Sequence, residues 1–156
     1  MKQVQTRSDA FTEFVREAEP RLRHALVAGW GGDRGREATA EALAWAWEHW
    51  DRVAEMENPV GYLYRVGHTK GRRLLRRPGR LPRPEHAEMP WIEPALPDAL
   101  DALSQRQRTA VMLVKGFGWT YQEVAELLGI SLSSTQKHVE RGLSKLRAAL
   151  EVSKDV

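Results

Sequence analysis

Residues 120–150, TYQEVAELLGISLSSTQKHVERGLSKLRAAL, decide the fold class of this chain. Val124, Ala125, Leu127 and Leu128 recur at helical spacing and give a first helix one apolar face. Gly129 ends it, because glycine enters the left-handed conformation of a helix stop without a Cβ clash. Ile130 reads as a buried plug and Ser131 as the N-cap of a second helix. In that second helix Leu132, Val139, Leu143, Leu146 and Leu150 form the inward stripe. Ser133, Ser134, Gln136, Lys137, His138 and Arg141 are left facing outward. The small Ala125 lets the helices cross closely and the glycine turn sets a steep angle, which is how a helix-turn-helix delivers its second helix to a DNA major groove. The competing reading is an ordinary helical hairpin with a solvated basic face.

Upstream of this unit, residues 98–116 carry Leu100, Leu103, Val111 and Leu113 on a helical pattern that breaks near Ser104. Before that, residues 78–97 hold six of the eight prolines, a density that no helix or strand interior survives, and this predicts an extended, flexible linker. The N-terminal part reads as helices again. Phe11, Phe14, Val15 and Ala18 mark the first, which Pro20 is expected to break or kink before a second run through Leu22 and Leu26. Gly29, Gly31, Gly32 and Gly35 around Trp30 predict a loop, with no strand before it and no Lys-Ser/Thr after it to make a phosphate loop. A helix from about 36 to 50 follows, with Leu43, Ala46, Trp47 and Trp50 on its apolar side. Asn58-Pro59 then opens a helix running to Arg77 through Tyr62, Leu63, Val66 and Leu74. Gly61, Gly67 and Gly71 inside that helix each cost about 1 kcal/mol relative to alanine, so packing or a partner must hold it. The expected architecture is all-α: two small helical domains, 7–77 and 98–152, joined by the Pro-rich flexible linker 78–97, with a helix-turn-helix in the C-terminal domain.

Net charge is only +3, but it is unevenly placed. Residues 1–57 hold eight basic and eleven acidic side chains, whereas 58–84 hold eight basic ones and no carboxylate. Such a block repels itself unless a polyanion neutralises it, so nucleic acid is the expected partner. There are no cysteines, which removes disulfides and thiolate metal sites and suits a reducing cytoplasm. The opening residues lack an apolar signal core and no run reaches membrane-spanning length, so a cytoplasmic protein without a membrane partner is expected. His24, His49, His68, His86 and His138 are scattered without ligand spacing, and no base neighbours the serines of 131–134 in sequence; neither metal, cofactor nor enzymatic chemistry is expected.

Two stretches now carry a resemblance. LSQRQRTAVML followed by GWTYQEVAELLGIS and a basic helix resembles the promoter-reading domain of bacterial RNA polymerase sigma factors. REATAEALAWAWEHWDRV leading into NPVGYLYRVGHTKGRRLLRR resembles the other conserved domain of the extracytoplasmic-function (group IV) sigma factors, which keep only these two domains. The resemblance spans about 125 residues. It implies that Glu37, Thr39, Ala40 and Glu41 dock on core RNA polymerase, in a run Glu-Ala-Thr-Ala-Glu where the family has acidic-Leu-Val-Gln-Glu. It implies that Tyr62, Arg65, His68, Thr69, Lys70, Arg72, Arg73, Arg76 and Arg77 meet the −10 element, whose bases are read flipped out and single-stranded. It places Ser133, Ser134, Gln136, Lys137, His138 and Arg141 in the −35 major groove, with Arg106, Arg108 and Tyr121 near the backbone. Implied partners are core RNA polymerase, promoter DNA, and an anti-sigma factor or a helper protein. The alternative is a stand-alone helix-turn-helix regulator that never joins the polymerase, since response regulators end in a similar LSQRQ…GIS…KHV module; no receiver-type strand pattern precedes it here.

Overall fold

The computed structural model describes residues 2–74 and 95–154, and every regular element among them is helical. The chain begins with α1, Lys2–Trp30, one unbroken helix with Pro20 inside it. The expected break is absent. An interior proline forfeits a hydrogen bond and crowds the preceding turn, at about 3 kcal/mol. Ala18, Leu22, Ala25 and Leu26 around it are buried, and one fully buried leucine returns about 1.5–3 kcal/mol. Packing therefore overrides the local penalty.

The glycine loop is also smaller than its composition predicts. Gly31 alone makes the turn, at φ 88°, and α2, Gly32–Glu48, starts directly after it. Gly35 lies inside α2, buried against the backbone of Val27, so its missing side chain serves a helix crossing and not a loop. α3, Trp50–Val53, is a single turn. α4, Pro59–Leu74, begins as expected: Asn58 Oδ1 accepts from the Gly61 amide at 3.0 Å. A Cβ on Gly67 would meet Leu26, and one on Gly71 would meet Trp30, so these costly helical glycines mark where α4 closes on α1. The continuation of this helix to Arg77, and most of the linker 78–97, lie outside the described residues.

The C-terminal part resumes with α5, Leu96–Asp101. The predicted break follows, and Ser104 caps α6, Gln105–Val111, in a reciprocal capping box with Gln107. A π-helical turn at Met112–Gly116 follows, in which the Phe117 amide reaches back to the Met112 carbonyl at 3.0 Å. α7, Tyr121–Leu128, starts from a second capping box, Thr120 with Glu123, and stops at Gly129 with φ 66°. α8, Leu132–Lys154, completes the helix-turn-helix.

One core runs through both halves of the chain. Leu22, Leu26 and Leu63 from the first half join Leu113, Trp119 and Val124 from the second. A satellite cluster of Ala99, Leu103, Val111 and Leu146 ties α5 and α6 to α8. Polar staples line the seam between α1 and the C-terminal helices. Arg108 donates to the Gly29 carbonyl, Arg21 pairs with Glu123 at 3.2 Å, and its guanidinium lies 4.6 Å from the Trp119 ring centre. His24 stacks on Phe117 with centroids 4.2 Å apart.

Candidate nucleic-acid interface

The helix-turn-helix is assembled by local chemistry. Gly129 turns the chain, the Ile130 amide returns to the Ala125 carbonyl at 3.1 Å, and Ser131 Oγ accepts from the Ser134 amide at 3.1 Å as the N-cap of α8. The inward stripe of α8 differs from the expected one at its start. Leu132 is 43% exposed, whereas Thr135 is fully buried, with its hydroxyl donated to the Ser131 carbonyl at 3.0 Å. Thr135, Val139, Gly142 and Leu146 are the buried series; Val139 and Leu146 hold their expected places, and Leu143 and Leu150 are half-buried. Gly142 belongs to it because Val111 occupies the place a Cβ would take.

Outward, Ser133, Gln136, Lys137 and Arg141 are exposed on the first turns of α8. Ser134 is half-buried and tied to Ser131 through both hydroxyls at 2.9 Å. His138 is half-buried rather than free. Burial, then the nearby Arg106 and Arg141 charges, hold its imidazole below the usual histidine range. It therefore meets neutral solution as an uncharged donor and acceptor, suited to a base edge and not to a phosphate. Arg106 is exposed and Tyr121 half-buried. Arg108 does not stand ready for phosphate. It is half-buried, paired with Asp101 at 3.1 Å and bound to the Gly29 carbonyl, so it is a staple between the halves.

On α4, Arg65, Thr69, Arg72 and Arg73 are exposed and Lys70 is half-buried. Tyr62 is half-buried beside Trp45, and its hydroxyl accepts from Arg52 at 3.3 Å. His68 is half-buried and Nε2 donates to Gln105 Oε1 at 3.0 Å. Desolvation keeps its ring below the ordinary histidine value, with Arg72 and Arg106 adding to that and the Gln105 bond opposing it. Arg76 and Arg77 lie outside the described residues. Between α4 and the start of α6 is a cleft of about 420 Å³, lined by Arg65, His68, Thr69, Arg72, Gln105 and Arg106 among others. It joins a helix assigned to one DNA element with a residue assigned to the other.

The proposed polymerase face on α2 needs one correction. Thr39 is only 3% exposed and donates to the Gly35 carbonyl at 2.7 Å, so it belongs to the core. Glu37 and Glu41 are half-buried and Ala40 is exposed. Trp47, read as inward from its spacing, is 39% exposed, with the Arg7 guanidinium 5.0 Å from its ring centre. Trp47 and Gln105 are the residues that sequence patterning missed, since neither a surface tryptophan nor a cross-half glutamine leaves a periodic signal. Among the described residues no group of three or more His, Cys, Asp or Glu is placed to hold a metal ion. No described helix is long and apolar enough to cross a membrane.

Residues 94–146 match the family model "Sigma-70, region 4". The chain is 39% identical over 61 residues to RNA polymerase sigma factor CarQ of Myxococcus xanthus, an alignment covering 39% of this chain and 35% of that relative. It is 41% identical over 54 residues to ECF RNA polymerase sigma factor EcfG of Rhodopseudomonas palustris (strain TIE-1), covering 35% of this chain and 30% of the relative. The chain thus spans about a third of the length of the relatives it matches. Two solved structures share the fold over nearly the whole chain, each at 21% identity. One is sigma factor RpoE in complex with the anti-sigma factor NepR from Bartonella quintana (TM-score 0.62, covering 92% of this chain and 98% of the other). The second is CnrH in complex with the cytosolic domain of CnrY (TM-score 0.61, covering 96% and 94%).

Proposed function

We propose that this chain is an extracytoplasmic-function RNA polymerase sigma factor, as its region 4 match and its relatives support, and that it binds core RNA polymerase in the cytoplasm and directs it to promoters by reading −10 and −35 elements. The observation that carries this is α8: a helix-turn-helix inside the region 4 match, presenting Ser133, Gln136, Lys137 and Arg141 to solvent from a rigidly capped start. His138 adds an uncharged base contact and Arg106 and Tyr121 lie toward the backbone. The segments 7–77 and 98–152 act as the two reading units. Arg65, Lys70, Arg72 and Arg73 on α4 hold the strand at −10, with Tyr62, His68 and Thr69 beside the unpaired bases; Arg76 and Arg77 extend that basic run in sequence. Glu37, Ala40 and Glu41 on α2 form the polymerase-docking face. The protein acts by binding and not by catalysis.

Elements named for positions −10 and −35 are about 25 base pairs apart, about 85 Å of duplex at about 3.4 Å per base step. In the packed structure the two reading surfaces meet at Arg106, which contributes charge to both His68 and His138. The halves must therefore separate before both elements are held at once. An anti-sigma factor is the partner expected to keep them together, as the neighbours' complexes with NepR and CnrY suggest.

The test is reconstitution. Added to core polymerase free of other sigma factors, the protein should yield a transcript from a defined start, and neither 7–77 nor 98–152 alone should do so. Glu37→Lys with Glu41→Lys should abolish the complex. Intact duplex binding without any polymerase binding would transfer the chain to the stand-alone regulators.

A further inference from the structure

We infer that the cleft between α4 and α6 is a binding site for a phosphate-bearing anion, gripped by Arg65 and Arg72 from the first half and Arg106 from the second. This site is distinct from the promoter contacts proposed above, because it exists only while the halves are packed together.

Its volume, about 420 Å³, falls within the size range of small-molecule sites and exceeds what a few ordered waters need. Its charge is one-sided. Among the described residues no carboxylate lines it, and none of the three guanidiniums has an ion-pair partner. Three like charges drawn around one cavity repel each other, and a multivalent oxyanion converts that repulsion into charge-assisted hydrogen bonds. Arginine presents its donors in a planar fork that matches phosphate oxygens two at a time. Thr69 and Gln105 also line the cleft. The Thr69 hydroxyl is donated to the Arg65 carbonyl at 3.1 Å, whereas Gln105, whose Oε1 is taken by His68, has a buried amide nitrogen without any partner. Three arginine forks beside one unpartnered amide select phosphate over chloride by geometry and not by charge alone. Because its donors come from two segments, occupancy favours the packed form. It competes with release of α4 toward single-stranded DNA.

The full chain and inorganic pyrophosphate suffice for the test, with a short single-stranded oligonucleotide as a second arm and sodium chloride at matched ionic strength as the control. Pyrophosphate at a hundredfold excess over its Kd should raise the Tm by about 5–11 °C, and chloride should not. Arg106→Ala and Arg72→Ala should each weaken binding about tenfold. Arg147→Ala, an exposed arginine of α8 that does not line the cleft, should leave it unchanged. Circular dichroism of each variant separates loss of a site from loss of fold. Oligonucleotide binding that needs Arg106, with pyrophosphate inert, reports only the promoter contacts of the same arginines and overturns the separate site. Absence of both responses, or an equal loss in Arg147→Ala, overturns the proposal. No polymerase enters the experiment, so its result is independent of the sigma-factor reading.

Discussion

Gly35→Ala offers a quantitative test of how α1 and α2 are held. A Cβ built at position 35 would lie 2.5 Å from Val27 Cα, 2.6 Å from Val27 N and 2.8 Å from the Leu26 carbonyl carbon. Carbon atoms in good contact are about 3.5–4.0 Å apart, so the two helices must move apart by about 1 Å. All three neighbours are backbone, and no rotamer change relieves them. Two effects oppose each other. Alanine is the better helix former by about 1 kcal/mol, while overpacking a closed interface costs about 1–3 kcal/mol. With rigid backbone opposite, the upper end applies, and a net loss of about 2 kcal/mol is expected. For a chain of this size that corresponds to about 4–8 °C in Tm. Gly32→Ala is the paired control, since its new Cβ meets only the flexible tip of Arg36 at 3.2 Å. Thermal and urea denaturation followed by circular dichroism would compare the two. A Gly35→Ala protein as stable as its parent would refute the close crossing, and with it the position of the docking face that α2 carries.

Three further outcomes are expected. Lys137→Ala or Gln136→Ala should change base preference in a −35 binding selection by about 1–3 kcal/mol per lost contact, whereas Arg141→Ala should weaken all sequences alike; unaltered preference in the first two would remove α8 from the groove. Binding of forked promoter DNA should fall steeply as salt rises, in proportion to the phosphates that Arg65, Lys70, Arg72 and Arg73 neutralise, and a flat salt titration would leave the basic face merely solvated. His24, His68 and His138 all sit below the ordinary histidine value of 6.5 in the folded chain, burial being the first cause in each. The unfolded chain therefore binds the extra protons, so their contribution to stability is complete above that value and is lost as pH falls through it. Tm measured across that window should drop on acidification, with a smaller drop in His68→Gln; a pH-independent Tm would contradict the burial of these rings.

What the sequence made legible was local. Gly129 and Ser131 specify their turn by their own backbone and side-chain chemistry, and Ser104 and Asn58 mark helix starts in the same way. Pro20 misled because its penalty is local while its compensation, burial of Leu22 and Leu26, is tertiary. Leu132 misled for a related reason. Hydropathy ranks leucine as the inward residue, but helix phase sets which position meets α7, and threonine is tolerated there because its hydroxyl finds the Ser131 carbonyl. Of the candidate site, the exposed polar face of α8 followed from its spacing. The cleft did not, since nothing in a one-dimensional pattern says that residue 68 will meet residue 105.

The bond from Arg108 to the Gly29 carbonyl joins positions 79 residues apart. A ribosome adding about 5–20 residues per second needs about 4–16 seconds to cross that interval. During that time α1 and α2 have left the exit tunnel while the surface meant for α6 and α7 still faces water. That surface is well suited to waiting. Beside its buried leucines it offers Arg21, His24 and a bare glycine carbonyl, which water can satisfy until the later helices arrive. An all-apolar seam would have exposed a nascent chain to aggregation at each round of synthesis, so the polar staples favour the chain's survival before its final contacts form.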